Sequence, residues 1–199
     1  MRAKDIMTTP VYTVRPETPI KEAAALLVDR GISALPVVND AEELVGIVSE
    51  RDLISLEARA QVHGRIRQAL HRTKPTPRTV EEVMTRRVVT LTENADATQV
   101  ARVMLDKGVK RIPIVSGDHV VGIVARRDVL KILARSDDDI RGDVEALLDD
   151  ELLMLGHSSV EVSGGVVTLT APLDNRRLVT LLARSVPGVL EVEFAEAPA

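Results

Sequence analysis

The stretch DIMTTPVYTVRPETPIKEAAALLVDRGISALPVV, residues 5–38, returns as EVMTRRVVTLTENADATQVARVMLDKGVKRIPIV, residues 82–115, when the chain is slid by 77 positions. Met7 falls on Met84, Thr13 on Thr90, Ala24 on Ala101, Asp29 on Asp106, Gly31 on Gly108 and Pro36 on Pro113. With one turn residue removed, LVGIVSERDLI at 44–54 continues the match as VVGIVARRDVL at 120–130. An internal repeat of this length decides the architecture before any single element does.

Each copy carries the same local signals. Thr18-Pro19 offers an N-cap followed by Pro at the first helical position. Ile20, Ala23, Ala24 and Leu27 then form an apolar stripe at helical spacing, which Ala97, Val100, Ala101 and Met104 repeat. Gly31 and Gly108 suit the left-handed position just past each helix. Two apolar runs, Ala34 to Val38 and Leu44 to Val48, flank the turn-forming Asn39-Asp40 and read as a hairpin, with a second helix beginning near Ser49 or Ala125. The fold class is therefore α/β (α+β): two βαββα repeats packed as one pseudo-symmetric module, since a single unit of this size buries too little core to stand alone. The cleft between the copies is the expected binding site.

These repeats resemble the paired cystathionine-beta-synthase-type (CBS) domain. The likeness covers roughly residues 1 to 135 and rests on Leu35-Pro36-Val37-Val38, Ile112-Pro113-Ile114-Val115 and the two GIV-x-x-R-D segments. It implies a regulatory module that binds an adenine nucleotide such as AMP, ADP or ATP, commonly as a homodimer. By resemblance, Asp52 and Asp128 are ribose contacts and Ser49 a phosphate contact, with Arg51 beside them. A carboxylate can accept hydrogen bonds from both ribose hydroxyls, while a hydroxyl and N–H groups at a helix start meet phosphate. Thr13 and Thr90 hold matched positions, and Val14, Leu35, Pro36, Leu91, Ile112 and Pro113 are the wall candidates for adenine. Ser49-Glu50-Arg51-Asp52 equally has the form of a helix capping box. Against capping alone, the second copy has Ala125 in place of Ser49 and keeps Asp128. Lys110, Arg111, Arg126 and Arg127 cluster in the second copy by alignment. Two unequal sites are thus expected, the second the more positive, although exposed cations usually need no partner.

Between the copies, Leu56, Val62, Ile66 and Leu70 lie among Arg59, Arg65, Arg67, Arg72, Lys74 and Arg78. Such a basic amphipathic segment can meet nucleic acid or an anionic membrane surface, or simply pack its apolar side on the module. From Asp137 a further pattern begins: a helix with Ile140, Val144, Leu147 and Leu148 on one face, strands Val160 to Ser163 and Val166 to Thr170, a helix near Asp174 to Ser185, and a strand Val189 to Phe194. The acids at 137–139 fit the positive end of the first helix. Gly165, Val167, Leu169 and Val186-Pro187-Gly188-Val189 make this αββαβ stretch resemble a BON domain, although Ala171 stands where that family usually has Gly. The likeness implies an interaction domain. The expected boundaries are 1–62 and 80–135 for the repeats, 63–79 for the linker and 137–195 for the BON-like domain.

Composition narrows the function classes. The 199 residues are 45% hydrophobic, enough for ordinary cores, but Tyr12 and Phe194 are the only aromatic residues, which disfavours base stacking on single strands. A net charge of -4 gives no general attraction to phosphate backbones. No Cys is present, so thiolate chemistry and Cys-ligated metals are excluded. His63, His71, His119 and His157 have no metal-ligand spacing, and no nucleophile, phosphate-loop or dinucleotide fingerprint occurs. The expectation is a non-catalytic protein with no cofactor beyond its regulatory ligand. No signal-like apolar core and no run of about 18 uncharged apolar residues is found, so the expected location is the cytoplasm.

Overall fold

A computed structural model describes residues 1–56, 77–151, 159–170 and 176–195. The basic segment over 57–76 and residues 171–175, with Ala171 and Asp174, lie outside the described residues. The chain divides into two compact units, residues 2–126 and 127–199.

The first unit runs α1 (Ala3–Ile6), α2 (Ile20–Asp29), β1 (Ala34–Val38), β2 (Leu44–Ser49), α3 (residues 50–56), a 3-10 turn (Val80–Glu82), β3 (Leu91–Thr92), α4 (Ala97–Asp106), β4 (Arg111–Ser116) and β5 (His119–Ala125). The apolar stripes work as expected: Ala23 and Leu27 on α2, and Ala97, Val100 and Met104 on α4, are buried. Gly31 and Gly108 follow the helices at φ 58° and 64°. The start of α2 differs from the Thr-Pro expectation. Pro19 itself occupies the N-cap and the helix begins at Ile20, while Thr18 Oγ1 accepts the Arg15 N–H at 3.0 Å. A free donor of the first turn, the Ile20 N–H, is satisfied by the Arg78 carbonyl at 3.0 Å. In the second copy Asp96 caps α4, accepting the Thr98 N–H at 2.7 Å.

Both hairpins form, β1 antiparallel to β2 and β4 antiparallel to β5. The leading strand expected in each repeat is almost vestigial. In the first copy it is a single parallel bridge, Val14 to Val37, and in the second the two residues of β3, parallel to β4.

The two repeats exchange their leading segments. Thr8 pairs with Ile123 through two backbone bonds of 2.9 and 3.2 Å, and Thr85 pairs with Ile47 through bonds of 2.9 and 3.0 Å. Met7 therefore lies over Gly122 of the second repeat, and Met84 over Gly46 of the first. A Cβ on Gly46 would stand 2.5 Å from Met84 Sδ, and one on Gly122 would stand 2.2 Å from Met7 Sδ. Any larger residue there would require the thioether to shift. The Leu44 N–H to Asp118 carbonyl bond of 2.8 Å ties the hairpin turns together as well.

The second unit contains α5 (Arg126–Leu133), which begins at the unit boundary, then α6 (Asp137–Glu151), β6 (Val160–Ser163), β7 (Val166–Leu169), α7 (Arg176–Ser185) and β8 (Glu191–Phe194). The order of the last five elements is the αββαβ order expected. The sheet runs β6-β7-β8, antiparallel then parallel. Ile140, Val144 and Leu148 of α6 form one core with Val167, Leu169, Val179 and Ala183, and Leu147 packs against it. The acids opening α6 do more than face its dipole. Asp137 accepts the Gly164 and Gly165 N–H groups at 2.8 and 2.9 Å. Asp138 pairs with Arg141 at 2.8 Å. Asp139 and Ser136 exchange hydrogen bonds across the helix start.

Candidate functional site

β2 ends at Ser49 and α3 begins at once, so the helix start is delivered at the end of a strand that is itself pinned to Thr85. Asp52, on the first turn, accepts both the Ser49 N–H at 2.9 Å and the Ser49 hydroxyl at 2.7 Å through Oδ2. This is one arm of a capping box. The acid satisfies a backbone N–H, but Ser49 donates to the carboxylate instead of capping a helical N–H.

The pair opens onto a cavity of about 380 Å³, within the range of small-ligand sites. Its walls come from both copies of the repeat. Ser33, Ala34 and Ile47 join Ser49, Glu50, Arg51 and Asp52 from the first, and Thr85, Arg87, Val88 and Val89 join Gly108, Val109, Lys110 and Arg111 from the second. Ser33 Oγ is buried without a hydrogen-bond partner among the described residues. Four cations and two carboxylates thus surround one concavity.

This regroups the expected residues. Lys110 and Arg111, assigned by alignment to a second and separate site, line the same cavity as Ser49, Arg51 and Asp52. The physical reason is the pseudo-symmetry. Ser33-Ala34 and Lys110-Arg111 are equivalent positions that meet on one cavity, whereas alignment distributes equivalents between two. Charge expected at the second of two unequal sites, on Lys110 and Arg111, thus stands on the same wall as Ser49.

The remaining expected residues are placed elsewhere. Leu35 and Ile112 are fully buried and Val14 nearly so, and Pro36 and Pro113 are buried in their strands. None of the five is on this cavity's wall, nor is Leu91, which is half-buried in β3. Thr13 is half-buried. Thr90 lines a smaller hollow of about 200 Å³ with Leu44, Arg86 and Asp118. Arg126 and Arg127 are exposed, and Asp128 is buried with its Oδ1 at 3.0 Å from Lys131 Nζ. Sequence reasoning missed Thr85, Arg87, Val88 and Val89. Their first-copy equivalents are Thr8, Pro10, Val11 and Tyr12, none of which is on this cavity, and the exchange of leading segments carries the second-copy residues to it. Among the described residues no three His, Asp or Glu side chains come together as a metal site, and no helix is long and apolar enough to cross a membrane.

Two hairpin-bearing repeats that interlock around a shared cavity match a known arrangement. The CBS domain family model matches residues 3–59 and again residues 80–135. The chain belongs to the CBS domain family. This CBS pair is 38% identical over 127 residues to a 33.4 kDa protein in the ribosomal RNA operon of Thermofilum pendens, a match covering 64% of the chain and 37% of the relative. The chain thus spans little more than a third of that relative. Among solved structures, the CBS domain pair crystallised with 5-methylthioadenosine and S-adenosyl-L-methionine is 30% identical with a TM-score of 0.56, over 67% of this chain and 96% of the other. CBSX2 in complex with AMP is 27% identical with a TM-score of 0.54, over 65% and 93%.

Proposed function

We propose that this CBS pair is a regulatory sensor that takes an adenine nucleotide or related adenosyl ligand in the cavity between its repeats. The observation that carries the reading is the convergence there of Asp52, Ser49, the unpartnered Ser33 hydroxyl and four cations. Relatives with the same fold hold AMP, 5-methylthioadenosine and S-adenosyl-L-methionine, which supports an adenosyl group as the common feature. Asp52 binds the ribose through its carboxylate, Ser49 and Arg51 face phosphate, and Lys110 and Arg111 reach the ligand from the second repeat. The base lies against Ile47, Val88 and Val89, with the buried Val14, Leu35, Pro36, Ile112 and Pro113 and the half-buried Leu91 supporting the strands behind. Asp128, the second repeat's equivalent of Asp52, is the ribose contact of a second adenosyl ligand by its repeat position, with Arg126 and Arg127 beside it in sequence, while Thr13 and Thr90 hold matched positions in the two repeats.

The protein acts by binding and not by catalysis. A ligand shifts a conformational equilibrium only through different affinities for its two states, and a cavity walled by both repeats provides that difference when the repeats close on it. Residues 1–62 and 80–135 form the sensing pair as a homodimer in the cytoplasm, and 63–79 link them. Residues 137–195 act as a BON-like interaction domain, supported by the α6-β6-β7-α7-β8 order. The basic linker is a second surface for a protein partner, nucleic acid or an anionic membrane.

Calorimetry and thermal-shift measurements with AMP, ADP, ATP, S-adenosylmethionine and NADH test the reading. Ligand at 1,000 times its dissociation constant stabilises the folded state by about 4 kcal/mol. Asp52→Ala is expected to abolish the response of this site, and Asp128→Ala that of the second. No shift with any of these ligands at millimolar concentration would overturn the proposal in favour of a ligand-free scaffold.

A further inference from the structure

The charges on the cavity wall are not evenly inherited. Arg87, Lys110 and Arg111 of the second repeat correspond to Pro10, Ser33 and Ala34 of the first. All three cations line the cavity with Arg51, against only Glu50 and Asp52. Asp52 already accepts two hydrogen bonds from Ser49. Arg51, Arg87 and Lys110 make no ion pair among the described residues. Like charges gathered around a concave, partly desolvated surface raise a positive potential that an anionic ligand relieves and a cationic one worsens.

We infer that this cavity selects a nucleoside polyphosphate over a nucleoside monophosphate or a sulfonium nucleoside, and that Arg87 and Lys110 set the preference. The inference rests on the cavity being the adenosyl-ligand site. Asp52 holds the ribose and Ser49 the inner phosphate from the first repeat, and the outer phosphates extend toward the second. There, guanidinium and ammonium groups make charge-assisted bonds to phosphate oxygens. The Ser33 hydroxyl, buried and unpartnered, supplies a further donor. S-adenosylmethionine would instead bring its sulfonium against a wall where Arg51, Arg87 and Lys110 make no ion pair among the described residues.

The test is isothermal calorimetry on the full chain with adenosine, AMP, ATP and S-adenosylmethionine, at two salt concentrations and without magnesium. ATP is expected to bind at least roughly tenfold more tightly than AMP at low salt, as two or more charge-assisted contacts would give. The gap should narrow at high salt, and S-adenosylmethionine should bind more weakly than AMP. Arg87→Gln and Lys110→Gln should each weaken ATP about tenfold and change adenosine by less than about twofold. Both side chains are exposed, so unchanged melting without ligand is expected to show that the variants fold. If adenosine binds while ATP gains nothing over AMP, or both variants leave ATP unaffected, the selectivity is refuted and the adenosyl site stands. If no ligand binds, the site falls and the selectivity with it.

Discussion

Gly46 and Met84 meet where one repeat crosses the other, and a side chain at 46 would have to push the thioether aside. Gly46→Ala would place a methyl 2.5 Å from Sδ and 3.1 Å from Cγ of Met84. The expected cost is about 1–3 kcal/mol, as for other overpacked cores, measured by urea denaturation. Combining it with Met84→Ala should recover part of that loss, because the two changes touch the same space. At this scale the sequence was legible where a motif names a residue. The CBS-like Gly-hydrophobic-hydrophobic-Ser spacing singled out Ser49 and Asp52, which line the cavity, and Gly31 and Gly108 could be read from the helices they end. Arg87 and Thr85 were illegible because their place depends on a partner some forty residues away in sequence, and no local pattern encodes that packing. The same blindness put Lys110 and Arg111 in a different site from Asp52.

Among the elements, the 3-10 turn that opens the second repeat has a titratable clasp. The Glu82 carboxylate accepts the Arg78 N–H at 3.0 Å, the Thr79 N–H at 3.1 Å and the Thr79 hydroxyl at 3.1 Å. The backbone bond from Arg78 is the foremost cause that holds its pKa below the ordinary 4.5, followed by that from Thr79. A carboxyl depressed in the folded state stabilises it above the unfolded pKa, and that contribution is lost as pH falls through the folded value. Chemical denaturation from pH 7 downward should therefore show a loss beginning near 4.5, and Glu82→Gln should make the loss shallower. The hairpins and amphipathic helices were legible in the sequence because apolar runs bounded by Gly and Asn report burial directly. The leading strands were not. Val14 makes one bridge and β3 only two residues, because the preceding segments spend their backbone bonds on the opposite repeat.

Across the whole molecule the residues divide by task. Every residue of the cavity lies between 33 and 111, inside the unit spanning 2–126, while the core around Val167 and Leu169 belongs to the unit spanning 127–199. Leu169→Ala should cost about 2–5 kcal/mol in the stability of that second unit, with ligand affinity at the cavity unchanged in calorimetry. The exchanged segments carry a consequence for how such a chain can arise. Each repeat bears both a peg, Met7 or Met84, and a socket, Gly46 or Gly122, so one repeat is complementary to a copy of itself. Two identical single repeats from separate chains could dock peg to socket in both directions, as an isologous pair. Duplication then joins the halves covalently and leaves the interlock intact, while freeing the two halves to differ, Ser33 and Ala34 in one standing where Lys110 and Arg111 stand in the other. The framework keeps the symmetry of the two repeats, and the chemistry is where they differ.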